Sequence, residues 1–317
     1  EEVPIICKKE CHSSEEPNKQ ILKRGEIYIR TEKATSEAIS SPEQMRDLLG
    51  RSLVKKSDEL LATIERLIKG KPSSASEDSK AKYAGEMRDA EVFFSEKLGD
   101  ALKTCGYWAI RAYPTQFDSK RVANQKAIEE LVRKSEVNLR GWPFPFTDPQ
   151  KAQNFAKGRQ SYTIWDRFVE GYRAYKSGLF TCKKAFWEDV EGRKSQDSRP
   201  ILSYKYSIWL ITEIFLFLKR YFGEMAFDGD VKIEIVLNGT KRRTLHAFNQ
   251  EVFLRGPYVA VDDQIAVMDE SVKAVDLRAS HQDIAYRVIK DAFLAFNWDI
   301  SPAAVRELQT QLLEGRA

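Results

Sequence analysis

Histidine is nearly absent from this chain, with 3 residues in 317, and cysteine is scarcely commoner at 4. Imidazole-based acid-base chemistry therefore has few places to reside, and Cys7, Cys11, Cys105 and Cys182 are too sparse for a disulfide framework. They read as reduced cytosolic thiols. No uninterrupted run of about 18 apolar residues is present to span a bilayer, and no secretory pattern opens the chain. These absences predict a soluble, cytoplasmic protein with no membrane partner. Also missing are a GxSxG elbow, a GxxxxGK[ST] phosphate loop, a GxGxxG turn and an HExxH pair. The sequence thus assigns no catalytic residue, no cofactor and no metal, and leans away from an enzyme for this stretch. A net charge of +4, from 51 basic and 47 acidic residues, is too small to establish nucleic-acid binding by bulk electrostatics.

What the chain does have is apolar content, 42% of residues, enough to build real cores. The short β-branched stretches VPIICKK (3 to 9) and EIYIR (26 to 30) read as two strands that need partners, since a two-stranded sheet is marginal in water. With Glu1 in place of an initiating Met, they predict a chain that starts partway through a domain. Ser41-Pro42-Glu43-Gln44 is a helix-start signal, and the leucine-rich stripe after it predicts a long helix that stops at Gly70. Residues 70 to 79 have linker composition. The expected organisation is a domain remnant over 1–40, a helix and linker over 41–79, and an intact α+β domain over 80–317.

Within that last region a helix from about 80 to 106, a strand YWAIRAYP (107 to 114) and a helix near 121 to 134 are expected, then a β-rich middle to about 190. SYKYSIWLITEIFLFLKRYF (203 to 222) is apolar nearly all round and predicts a central buried helix. VKIEIVLNGTKRRTL carries Asn238-Gly239 between two alternating halves and predicts an antiparallel hairpin. Strands at about 252 to 261 and 265 to 278 and two closing helices, the second after Ser301-Pro302, complete the reading.

The segment KRGEIYIRTEKATSEAISSPEQMRDLLGRSL (23 to 53) has a strand ending in Tyr28-Ile29-Arg30, a loop with Thr31 and Thr35, and a Ser-Pro-Glu helix cap. It resembles the end of the Schlafen-type, AlbA-like domain of prokaryotic nucleic-acid-binding proteins. RGWPFP (140 to 145), EGYRAYKSGLF (170 to 180), ITEIFLFLKRYF (211 to 222) and FNWDISPAAVRELQTQLL (296 to 313) resemble the region often found downstream of it. The resemblance implies a truncated AlbA-like β-rich end, a linking helix and a mixed α+β domain of a DNA- or RNA-binding regulator. Catalytic positions of RNA-cutting relatives would lie upstream of Glu1 and cannot be carried over.

Candidate sites follow from residue types. Cys7, Cys11 and His12 offer three zinc ligands where a structural site takes four, so thiol and surface roles are the plainer reading. Glu213 lies inside the apolar helix, where an unpaired charge is costly, and an ion pair with Arg173 or Arg220 is expected over catalysis. Arg140 and Trp142 sit in a stiff turn that could stack a ring, as could Trp165, Tyr172, Tyr175 and Phe180, although core packing is the simpler role. Together Arg140, Trp142, Arg173, Tyr175 and Glu213 form a candidate ligand pocket. Lys23, Arg24 and Arg30, with Lys241, Arg242 and Arg243 on the hairpin, are candidate phosphate contacts, and Lys55-Lys56 and Lys183-Lys184 are further basic runs. The leading expectation is a non-enzymatic ligand- or partner-binding region of a nucleic-acid-binding protein. The alternatives are part of a nuclease or nucleotide-dependent enzyme, and an oligomerisation domain forming a homo-oligomer.

Overall fold

The structure is a computed structural model that describes residues 11–12, 20–23, 26–30, 36–39, 74–146, 148, 150–165, 168–192, 199–248 and 256–316. It divides into two compact units, Glu1–Ser73 and Ser74–Ala317. In the first, β1 (Cys11–His12) pairs antiparallel with β2 (Gln20–Leu22), and β3 (Tyr28–Arg30) with β4 (Ser36–Ala38). The expected strand at 3 to 9 and the helix after Ser41 lie outside the described residues.

The second unit opens on α1 (Ser74–Leu102), so residues 74 to 79, expected as linker, are its first turns. Then come β5 (Tyr107–Pro114), α2 (Gln125–Ser135), β6 (Gln153–Phe155), β7 (Gly158–Trp165), β8 (Phe168–Tyr175) and β9 (Phe180–Ala185). After these come α3 (Trp187–Val190), β10 (Ile201–Ser203), α4 (Tyr204–Glu224), β11 (Asp230–Asn238), β12 (Thr244–His246), β13 (Gln264–Lys273), α5 (Ala274–Leu294) and α6 (Pro302–Leu313). The fold is α+β. Seven antiparallel strands lie in the order β13-β11-β5-β9-β8-β7-β6, beside a small parallel pair, β10 and β12. No described helix is long and apolar enough to cross a membrane.

Alternation along the strands decides what faces what. On β5 the even residues Trp108, Ile110 and Ala112 are buried in the main core, with Tyr172, Phe180 and Cys182 of β8 and β9 and alternate residues of β11. Against this face lies α4, buried nearly all round as its composition predicts, with α2, α5 and α6 beside it. The opposite face carries α1, whose Tyr83, Ala90, Phe93, Phe94 and Leu98 pack with Val169, Tyr175 and Ala185. Each large apolar side chain so buried contributes roughly 1.5–3 kcal/mol.

The helix start expected at Ser301-Pro302 forms, and two further helices are capped in the same way. Asn124 accepts from the Ala127 amide at 3.0 Å, and the Ser203 and Ser301 hydroxyls accept from the Tyr206 and Ala304 amides. Lys176 to Leu179 form the tight β8–β9 turn, with Gly178 at φ +90°, a left-handed geometry that glycine adopts without steric cost.

The Asn238-Gly239 hairpin does not form. Gly239 does turn, at φ +74°, but β11 is flanked by β5 and β13, and the next strand, β12, pairs parallel with β10. The chain is drawn off by Arg243, which is 3% exposed and bonded through both terminal nitrogens to Asp189 and through Nη1 to the Ile201 carbonyl. Thr240 bonds to the carbonyls of Asp262 and Asp263. Burying and satisfying one guanidinium outweighs the local turn signal. The expected strand at 252 to 261 is reduced, over its described part, to a single bridge at Val259, and the strand expected to run to 278 ends at Lys273, where α5 begins.

Candidate functional site

The loop between α2 and β6 closes on itself through two backbone bonds between Val137 and Phe144, with Gly141 at φ +76° at its tip. This holds Arg140 and Trp142 over the end of α4. There, Tyr206, Trp209 and Glu213 recur at spacings of three and four and share one helix face. From the sheet, Phe168 and Glu170 of β8 and Lys184 of β9 project on the same side, being even-numbered like the core residues of their strands. Trp187 of α3 completes the wall.

All of these but Glu170, which lies behind Lys184, line a cavity of about 510 Å³. Arg140 donates from Nε at 3.0 Å and Nη2 at 2.5 Å to the two oxygens of Glu213, which is 1% exposed. Beneath them Lys184 is ion-paired with Glu170, both nearly inaccessible, and Glu170 Oε1 also accepts from Trp142 Nε1 at 3.2 Å and the Phe146 amide at 2.9 Å. Burial works against the Lys184 ammonium, but its polar neighbours, the Glu170 carboxylate foremost, together hold its pKa above the ordinary value. Arg140 is likewise opposed by burial and held up by its bonds to Glu213. The Tyr206 phenol is pushed up by burial and stays protonated. Two cations and two carboxylates cancel, so the cavity is polar at its base, close to neutral in sum, and aromatic at its walls.

The aromatic groups are ordered. Trp142 stacks on Phe168 at 3.5 Å and on Phe146 at 4.0 Å, and the Arg140 guanidinium lies 4.5 Å from the Tyr206 ring centre and 5.5 Å from that of Trp209. Trp165, 64% exposed, stands 5.9 Å from Trp142 at the rim.

Comparison of the chain with protein-family models, with curated proteins and with solved structures finds no match for it. Function therefore rests on the geometry alone.

Of the five residues expected to form one pocket, Arg140, Trp142 and Glu213 come together, and Arg173 and Tyr175 do not. Those two are odd-numbered on β8 and face α1, where Tyr175 is fully buried with its hydroxyl on the Glu86 carbonyl at 2.8 Å. Arg173 lies over Phe155 and bonds to the Asp89 carbonyl at 2.7 Å. The partner of Glu213 is therefore Arg140, and not Arg173 or Arg220, which donates to the Glu136 carbonyl at 2.6 Å. Phe144, Tyr172 and Phe180 are core residues.

The hairpin basic cluster is broken up. Arg243 is internal and paired, whereas Lys241 and Arg242 are exposed on a loop and not on a ribbon. Lys183 pairs with Glu91 at 2.5 Å and Lys184 is in the cavity floor, so neither belongs to a solvated basic face. Lys23 is exposed and 3.8 Å from Glu26, and Arg30 ends β3. Arg24, Lys55, Lys56 and Cys7 lie outside the described residues, and no cluster of metal-ligating side chains occurs among those described.

Proposed function

We propose that the Ser74–Ala317 unit is a ligand-binding module, non-enzymatic in itself, of a nucleic-acid-handling protein. The ligand of its cavity is a planar, uncharged heteroaromatic ring of the nucleobase type. The observation that carries this reading is the combination of aromatic walls with a base of two ready-made ion pairs. A volume of about 510 Å³ suits a nucleotide-sized guest. A quaternary ammonium ligand is disfavoured, because the Tyr206 and Trp209 rings already attract the Arg140 guanidinium and Lys184 lies alongside. A base gains contact with the ring walls, and its carbonyl or ring nitrogen can accept from the Nη1 edge of Arg140, which the bond to Glu213 leaves outside the ion pair.

Binding is favoured over catalysis by the state of the carboxylates. Both oxygens of Glu213 accept from Arg140, and those of Glu170 accept from Lys184, Trp142 and the Phe146 amide. Neither has the freedom expected of a general base. The reading accords with the resemblance to the region downstream of an AlbA-like domain.

Titrating the chain with the four nucleoside 5′-monophosphates, followed by tryptophan fluorescence, tests it. Saturable quenching is expected with at least one of them, weakened about tenfold in Trp209→Leu and Phe168→Leu, which keep apolar bulk and remove a ring. Tyr175→Phe, on the other face, should leave binding unchanged. Quenching by none of the four would remove the reading.

A further inference from the structure

A second cavity of about 480 Å³ adjoins the first, and Trp187, Tyr206 and Trp209 line both. These three rings form a partition between two chambers. The second chamber differs in chemistry from the first. Tyr204, Trp298, Ile300, Ala304 and Leu308 give it apolar and aromatic walls, Ser203, Lys205, Glu307 and Gln311 are its polar lining, and no ion pair lines it among the described residues. Trp298 is fixed there by Tyr258, with ring centres 5.4 Å apart and planes 25° apart, and by an edge contact with Tyr204. Trp209 is pinned in the partition by a bond from its Nε1 to the Leu308 carbonyl at 3.2 Å.

On the partition lies one cation with no carboxylate partner among the described residues. Lys205 Nζ stands 4.4 Å from the centre of the Trp209 ring, half-exposed, on the second-chamber side. An ammonium held only by a ring face and water is available to an anion at little cost.

We propose that the two chambers take two consecutive nucleotides of single-stranded nucleic acid, one base on each side of the Trp209 partition, with Lys205 on the phosphate that joins them. This deepens the nucleobase reading of the first chamber and rests on it. An aromatic ring between two guests sets their planes apart by about twice the ~3.5 Å contact distance of carbon atoms, a separation that a sugar-phosphate link spans when a ring is inserted between neighbouring bases. The chambers then divide the work. The first, with Arg140 at its floor, can distinguish bases by hydrogen bonding, and the second, lined mainly by rings and aliphatic side chains, accepts any base by stacking.

The test compares mononucleotides with 5′-phosphorylated dinucleotides, in an adenosine and a uridine series, on the 317-residue chain and on Lys205→Gln and Trp298→Leu. The dinucleotide should bind at least about tenfold tighter than the mononucleotide, the order of one added stacked base. Each substitution should bring that ratio close to one while leaving mononucleotide affinity unchanged. Lys205→Gln, at a half-exposed position, should retain the wild-type melting temperature and should flatten the salt dependence of dinucleotide binding by about one phosphate. Equal affinity for mono- and dinucleotide in the unaltered chain overturns the two-chamber proposal and leaves the single-base reading standing, as does an advantage that survives both substitutions. Binding of neither removes both.

Discussion

Glu213 shows how much depends on a single side chain. Buried in an apolar helix, it is tolerated because Arg140 reaches it with two bonds from a separate loop. Glu213→Ala should therefore cost about 3–5 kcal/mol by leaving the guanidinium buried and unpaired, and adding Arg140→Met should recover most of it. Urea denaturation of the two single variants and the double variant measures this coupling. A second buried acid has no cation bonded to it among the described residues. Glu188 Oε1 accepts from the Ser203 amide at 2.6 Å, its other oxygen has no partner among the described residues, and burial pushes its pKa up to about 8 from 4.5. A carboxyl raised in the folded state contributes stability that is fully present below the unfolded pKa and is lost as pH rises through the folded one. The Glu188 contribution should thus decline between about pH 4.5 and 8, and Glu188→Gln should flatten that part of the stability profile. An unchanged slope in the variant would show that Glu188 is ionised throughout.

At the scale of elements, β5, α4 and the Ser301-Pro302 start of α6 were legible because periodicity, burial and capping agree there. The hairpin was not, since Asn-Gly specifies a turn but not the partner of the strand that follows. Gly239 is nonetheless fixed, as its φ is +74° and a Cβ there would come within 2.8 Å of the Gly106 backbone. Gly239→Ala should destabilise the protein by more than about 1 kcal/mol, read as a lowered denaturation midpoint. The candidate site was half legible. Arg140, Trp142 and Glu213 stood out as an aromatic-basic turn and a charge in an apolar helix. Parity along β8 separates Tyr175 from Phe168 and Glu170, and the spacing of Tyr206, Trp209 and Glu213 marks one helix face, so both signals were in the sequence. Neither connects α4 to β8, however, because that contact is set by tertiary packing. Lys184 was legible only as part of a basic pair, since its buried partner lies on the adjacent strand.

For the whole molecule, 51 basic and 47 acidic residues leave little field to steer a polyanion, and several basic side chains expected at the surface are paired or internal. Binding of short single strands should accordingly depend weakly on salt, with a log-log slope corresponding to about one phosphate, as against the steep slopes of proteins that neutralise many. On the proposed function, recognition rests on the cavity and its rings. Photo-crosslinking is the most direct measurement of that claim: 8-azidoadenosine and 5-iodouridine 5′-monophosphates irradiated with the chain, and the modified peptides located by mass spectrometry. The account predicts attachment within the peptides that carry Trp142, Phe168, Tyr206 or Trp209, abolished by excess unmodified nucleotide. Competed labelling confined to Lys241 and Arg242, or to residues 1 to 73, would contradict it.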